Sequence, residues 1–435
     1  GSMVQWTWSA WVKRSGISTE QNIFTGYNAA TDYTEVRFDA SDRLNFQNRV
    51  ASSIAGELQT TRVFRDTSGW YNIVIVWDTG NAVGGDRMRM YINGVRETVF
   101  TGTDIPTLNK DSNIGEASVP THIGSFATGS NFFDGSMSYV CFIDGQALTA
   151  SSFGETDATT GEWKIKVIAS DGFTWGANGY MILKNGNTIT DQSTNSNNFT
   201  LGAGTLTNTE DCPDDVFATM NPLDNYWPAM TLSYGNTRAL TFVNKYTYTP
   251  TTLGMTSGKY YAEVKCTAQS ASQDAMVIGI TSTASVSTTD ELGNYADDYG
   301  YVASDGSYRN NNAQSAYGTT YTTGDIIGIA LDLTNNKLYF AKNGTWQNSG
   351  VPTSGSTGTG AISITDPVST PRGAYFFAVN NFSSTTTATF DANFGNGYFG
   401  ITVISSAGTN ASNIGIFEYD VPTGYTALST KGLNS

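Results

Sequence analysis

Histidine, cysteine and basic residues are all scarce in this chain, and each shortage closes off a class of chemistry. Its 435 residues hold one histidine, three cysteines and 23 Lys plus Arg against 38 Asp plus Glu, for a formal net charge of −15. With His122 alone, a histidine pair, a facial triad and HExxH-type metal chemistry are excluded. Cys141, Cys212 and Cys266 are odd in number and widely spaced, so neither a disulfide framework nor a zinc site follows, and buried thiols are expected. Phosphate binding needs clustered Lys and Arg; no basic run occurs, which argues against nucleic acid and an anionic membrane surface as partners. No apolar stretch approaches the ~18 residues of a membrane span and no secretory apolar region opens the chain, so membrane insertion is not expected. Gly1-Ser2 before Met3 reads as a cloning remnant, with exit from the cell by lysis expected over secretion. Long amphipathic helices are missing too.

What fills the chain is aromatic residues at 12%, including 23 Tyr, together with 46 Gly and many Thr, Ser and Asn. This is the composition of β-sandwiches with polar loops. The length suits two domains of roughly 200 residues. One hairpin theme is written twice: Trp70-Tyr-Asn-Ile-Val-Ile-Val-Trp-Asp78 leads to Arg87-Met-Arg-Met-Tyr-Ile-Asn-Gly94, and Asp325-Ile-Ile-Gly-Ile-Ala-Leu-Asp332 leads to Lys337-Leu-Tyr-Phe-Ala-Lys-Asn-Gly344. Aligned on Asn-Gly, a type I′ signal, Met88 and Met90 fall opposite Leu338 and Phe340 on one phase of a period-2 pattern. The fold class predicted is all-β, two antiparallel jelly-roll sandwiches in tandem.

Along the chain, Trp6 and Trp8 alternate with Thr7 and Ser9, which predicts a strand in a sheet packed on one face. Glu35, Arg37 and Asp39 alternate with Val36 and Phe38 and are expected to form a solvated face. Residues 72–77 are apolar on both phases, the mark of a central strand covered on both sides. A single helical turn is expected within 146–153 and a returning strand at 179–184. Loop composition from 185 to 215 sets the predicted domains as 1–185, a linker 186–217, and 218–435. Beyond it, 259–265, 275–280, 324–333, 386–394 and 417–421 read as strands. Gly328 and Ala330 on the second phase of 324–333 would let something pack closely against it.

Several of these segments carry a resemblance. Trp8-Ser-Ala-Trp-Val-Lys-Arg14, Gly69-Trp-Tyr-Asn-Ile-Val, Met90-Tyr-Ile-Asn-Gly-Val95, His122-Ile-Gly-Ser and Phe142-Ile-Asp-Gly-Gln-Ala-Leu148 resemble laminin-G-like, concanavalin-A-like domains. With Ser152-Phe-Gly-Glu-Thr-Asp-Ala-Thr-Thr-Gly161 they are similar to those of tailed-phage virion proteins from marine sources. Ser257-Gly-Lys-Tyr-Tyr-Ala-Glu263, Tyr299-Gly-Tyr301, Thr323-Gly-Asp-Ile-Ile-Gly-Ile-Ala-Leu-Asp332 and Thr389-Phe-Asp-Ala-Asn-Phe-Gly395 resemble a SPRY domain. The resemblance implies β-sandwiches that bind glycans, peptides or protein surfaces through edge loops. It also implies a virion or extracellular location and other virion proteins as partners. Such phage proteins carry extra sequence before the first Trp-rich strand, whereas three residues precede Val4 here, so a missing first strand or anchor is open.

Catalytic patterns are thin. A glycosidase on such a sandwich needs two carboxylates converging across a cleft; Glu418-Tyr-Asp420 alternates suitably, but Val421-Pro422 follows at once and predicts an exposed strand end. No Glu-x-Asp-x-x-Glu signature occurs. A lyase based on one of the tyrosines stays open. For binding, sugar recognition needs a flat aromatic and planar amide or carboxylate groups. Asp298, Tyr299, Tyr301, Tyr308, Arg309, Asn310 and Asn312 supply both types where the SPRY resemblance places its binding face; a polar loop with core tyrosines accounts for the same residues. Asp290, Glu291 and Asp297 could hold calcium, although their spacing is not an EF-hand and a solvated acidic loop fits as well; no other cofactor is implied. Residues 128–133 offer a similar edge in the first domain, with Phe132 and Phe133 expected to pack. The reading is a non-enzymatic, virion-associated binding protein that recognises a host-surface glycan or protein. The alternatives are a structural virion decoration and a polysaccharide-degrading enzyme.

Overall fold

A computed structural model describes residues 2–116, 118–127, 129–225, 230–242, 247–269, 276–284, 290–381 and 386–435. Thr128 of the first-domain edge, Ala275 of a predicted strand, and Thr288 and Thr289 beside the acidic loop lie outside them. The chain is 42% strand and 5% helix, the all-β sandwich class that the alternation predicts. It divides into two compact units, Gly1–Asn208 and Thr209–Ser435.

The first unit stacks two six-stranded sheets. One runs Tyr180–Ile182, Gly135–Asp144, Gln5–Arg14, Tyr71–Asp78, Met88–Ile92 and Val95–Arg96; the other runs Thr121–Ile123, Gln21–Ala29, Asp32–Phe38, Arg43–Val50, Ser53–Val63 and Phe100–Asp104. Trp6, Trp8, Phe24, Phe46, Ile75, Trp77 and Phe142 meet between them. Trp8 stacks on Phe24 with centroids 5.1 Å apart. The central strand behaves as predicted: Ile73, Ile75 and Trp77 enter this core, while Val74 and Val76 enter a second cluster on the opposite face with Cys141, Phe153, Ile168 and Trp175.

That second cluster corrects one expectation. The Trp-rich strand is covered on both faces, because the chain after Asp144 returns across the outer side. Thr7 Oγ1 donates to the Gln146 carbonyl at 2.8 Å and accepts from the Leu148 amide at 2.9 Å. The single turn appears as a 3-10 helix at Ala150–Ser152, and the returning strand Tyr180–Ile182 pairs with Gly135–Asp144. Residues of linker composition pack on this unit as far as Asn208, with the Phe199 ring edge-on to Tyr180 at 4.7 Å. The solvated face expected around Glu35 is also corrected: Glu35 is buried, accepts from Asn22 Nδ2 at 2.7 Å and pairs with Arg37 at 3.1 Å.

In the second unit one sheet runs Thr231–Ser233, Arg238–Leu240, Ala388–Asn393, Lys259–Gln269, Ile326–Asp332, Lys337–Lys342 and Thr345–Trp346. The other runs Thr247–Pro250, Phe376–Asn381, Met276–Thr281, Asp298–Val302, Ser307–Asn310 and Ala313–Ala316. Ile327, Ile329, Leu331 and Leu333 face the core, as their phase predicts. Against the small residues of the other phase pack Phe417, Val421 and Tyr425, together with Tyr261 and Tyr339. A Cβ on Gly328 would lie 2.8 Å from the Tyr261 hydroxyl, so only glycine leaves that ring its place.

The repeated turns match in three dimensions. Asn93 and Gly94 have φ of 46° and 82°, Asn343 and Gly344 have 48° and 76°, the positive pair that a type I′ turn needs. Asn93 Oδ1 accepts from the Asn72 amide at 2.7 Å, and Asn343 Oδ1 accepts from the Ile326 amide at 2.9 Å. In each unit the turn asparagine thus pins the start of the neighbouring strand.

Candidate recognition site

Six of the seven predicted site residues fall on two adjoining strands, Asp298–Val302 and Ser307–Asn310, with Asn312 in the turn that follows, and the alternation of the first strand divides them. Tyr299 and Tyr301 point into the core. Tyr301 is fully buried, stacked on Phe340 at 5.3 Å, with its hydroxyl donating to the Thr319 carbonyl; burial pushes that phenol up to about 12. Tyr299 is held by a bond from the Thr365 amide to its hydroxyl at 3.1 Å. Tyr308 is half-buried against the same core, edge-on to Tyr317 at 6.0 Å. The expectation that Tyr299 and Tyr301 stack on a ligand is therefore corrected, because their phase faces the sandwich interior.

Asp298 lies on the opposite phase and is buried as well. It accepts from the Thr281 and Thr283 hydroxyls at 2.7 Å each and from Tyr248 at 3.4 Å. Burial outweighs these donors and raises its carboxyl to about 6. The aim of such an arrangement is internal order; no face of Asp298 is open to solvent.

Arg309, Asn310 and Asn312 do come together at the surface. Asn310 Nδ2 donates to the carbonyls of Asp298 at 2.8 Å and Ala296 at 2.9 Å. The Asn311 and Asn312 amides donate to Tyr295 and Gly293 carbonyls at 3.0 and 2.9 Å. Arg309 pairs with Glu291 and donates to Asn312 Oδ1 at 2.7 Å. These bonds clamp residues 293–298 to the hairpin. Asp290 accepts from the Tyr295 hydroxyl, and among the described residues no group of three or more His, Cys, Asp or Glu gathers in metal-holding geometry.

The turn of this hairpin, although its amides belong to the clamp, and the last strand are exposed throughout residues 311–316. Gln314 and Ser315 on this strand were not singled out from the sequence. The signal was present in Asn311-Asn312, whose φ of 50° and 59° make the tight turn. In the first unit, Phe133 packs on the core as expected, but Phe132 is 56% exposed, which corrects its expected packing. His122 is half-buried in Thr121–Ile123, and burial lowers its pKa. Glu418 and Asp420 lie outside any strand, so the alternation that would set both carboxylates on one face is not made; the Glu418 amide donates to Glu263 at 2.8 Å, and the Asp420 carboxylate accepts from Thr409.

Residues 2–153 match the Laminin_G_3 family, the Concanavalin A-like lectin/glucanases superfamily, and residues 259–363 match the SPRY domain. The chain carries both domains. Domains of these kinds are typically non-catalytic modules for binding and protein interaction. A 47-residue segment is 45% identical to Ran-binding protein 9 of Danio rerio, covering 11% of this chain and 8% of that protein. Another of 54 residues is 37% identical to the dual specificity protein kinase splA of Dictyostelium discoideum, covering 12% of this chain and 2% of that one. The chain thus spans a small fraction of these curated relatives. Among solved structures, the SPRY domain of human HERC1 is 16% identical over 40% of this chain and 96% of its own, with a TM-score of 0.33. Stonustoxin is 18% identical over 40% of this chain and 27% of its own, with a TM-score of 0.28.

Proposed function

We propose that this chain is a non-catalytic attachment protein of a tailed-phage particle, binding a glycan or protein on the host surface. The observation that supports it is the hairpin of residues 307–316, whose turn and last strand are exposed while Asn310 and the turn amides fasten its tip to residues 293–298. An exposed edge strand already ordered before contact loses little conformational freedom on binding. The polar, uncharged Gln314 and Ser315 on an open sheet edge suit hydrogen bonding to a sugar or a peptide strand. The phage setting rests on the resemblance carried by the first-domain segments together with Ser152-Phe-Gly-Glu-Thr-Asp-Ala-Thr-Thr-Gly161.

The test is attachment of the fluorescent full chain to a panel of marine bacteria, with cells left intact, oxidised with periodate or shaved with protease. Saturable attachment to one strain is expected, reduced about tenfold by the double variant Gln314→Lys, Ser315→Lys. Loss after periodate assigns the receptor to glycan, loss after protease to protein. Attachment to no strain, or attachment indifferent to the double variant, would overturn the reading.

A further inference from the structure

Residues 405–421 cross the outer face of the sheet that holds Lys259–Gln269 and Ile326–Asp332 without forming a strand, and only Phe417 and Val421 among them are buried. The segment leaves the sheet past Gly400 and returns past Gly424, whose φ of 60° and 86° is left-handed backbone that glycine adopts freely. Beneath it lie Tyr261, Ala330 and Tyr339, with the rings of Tyr261 and Phe417 meeting edge-on at 5.0 Å. Among the described residues, the hydrogen bonds from this segment to the strands beneath go to two side chains, Glu263 and Asn393, which are paired across neighbouring strands. The Glu418 and Tyr419 amides donate to Glu263 Oε2 and Oε1 at 2.8 and 2.9 Å, and Asn393 Nδ2 donates to the Ile416 carbonyl at 2.9 Å.

Glu263 is thus the point at which a largely uncovered loop is fastened, and its own side chain is wholly buried there. The Tyr261 hydroxyl donates to it at 3.1 Å and Asn393 Nδ2 at 3.4 Å. The titratable and charged groups around it are Tyr261 and Lys265 on its own strand, Asp391 with its partner Arg238 on the strands beside it, and Glu418, Tyr419 and Asp420 on the segment above; Ile326–Asp332 presents Gly328. Among the described residues no Lys or Arg pairs with Glu263. A buried carboxylate without a cation is expensive, whereas the neutral acid is not. Lifting the segment returns the carboxylate to water and removes that cost.

We propose that residues 405–421 are a strap held shut by a proton: with Glu263 neutral it lies closed on the sheet, and with Glu263 ionised it opens between its flanking glycines and uncovers Tyr261, Ala330 and Tyr339. Burial lifts the carboxyl of the closed state from 4.5 to about 7. Closure therefore has its full support below about pH 4.5 and loses it as pH rises to about 7. The strap lies on the other sheet from the 307–316 hairpin and goes beyond the attachment reading.

Hydrogen exchange of the full chain at pH 5 and pH 8, with each amide's rate divided by its unprotected rate at that pH, tests the proposal. The amides of Ile416, Glu418, Tyr419 and Val421 are expected to open about fiftyfold more often at pH 8. Those of 326–332 should stay about tenfold or more better protected than the strap at both values, the mark of a local opening. Glu263→Gln, which keeps the side-chain shape and is neutral throughout, should flatten the strap's pH dependence to less than about threefold. Strap exchange that ignores pH, that occurs only together with 326–332, or that keeps its full pH dependence in Glu263→Gln would overturn the proposal. The first two results are read on the native chain and decide the matter even if the variant does not fold.

Discussion

Glu263 sits opposite Gly328 in the central strand of the second unit and has no exposure to solvent. It accepts from the Glu418 and Tyr419 amides at 2.8 and 2.9 Å and from the Tyr261 hydroxyl at 3.1 Å. These donors favour its charge, but burial outweighs them and lifts the carboxyl from 4.5 to about 7. A folded value above the unfolded one means that the protonated form suits the fold. Its stabilisation is complete below about pH 4.5 and disappears as pH rises to about 7. Between pH 5 and 8 the native chain should lose about 2 kcal/mol relative to Glu263→Gln. Denaturant titrations of both proteins at the two pH values check this; parallel profiles would contradict it. Tyr301 gives a second prediction at this scale. Since it is a core ring and not a platform for ligand, Tyr301→Ala should cost ~3–5 kcal/mol of unfolding free energy. Phe132→Ser, at an exposed position, should change stability by less than about 0.5 kcal/mol.

At the scale of elements, legibility depended on whether both partners of a contact lay within one strand's pattern. The apolar run 72–77 and the small residues Gly328 and Ala330 each announced cover on a second face, and residues 417–425 and the cluster of Cys141 and Trp175 supply it. The phase of Thr7 could not, since a polar residue reads as solvent-facing until Gln146 and Leu148 return to bond it. The same ambiguity hid the burial of Glu35, whose partner Asn22 lies on the neighbouring strand. In the candidate site, Tyr299-Gly-Tyr301 showed both rings on one phase but not which phase met the core; that followed from the rings of Tyr317, Tyr321 and Phe340 converging on it. Gly328→Val tests the close packing directly. The added atoms meet Tyr261 and Ala341, so a loss of ~1–3 kcal/mol is expected, read from thermal unfolding and from faster proteolysis after residue 404. An unchanged melting profile would show that the cover on this face is loose.

For the whole molecule, two sandwiches each bury a separate aromatic core, and the second leaves a polar edge strand exposed at the hairpin of residues 307–316. On the proposed reading such a surface contributes hydrogen bonds without moving a proton or cleaving a bond. The decisive measurement combines equilibrium binding and product analysis in the same tubes, using the full chain and surface polysaccharide from whichever bacterial strain it attaches to. Saturable binding, with reducing ends and unsaturated-uronate absorbance constant over a day, is the predicted result. Steady growth of either signal with enzyme-like dependence on protein concentration would contradict the account.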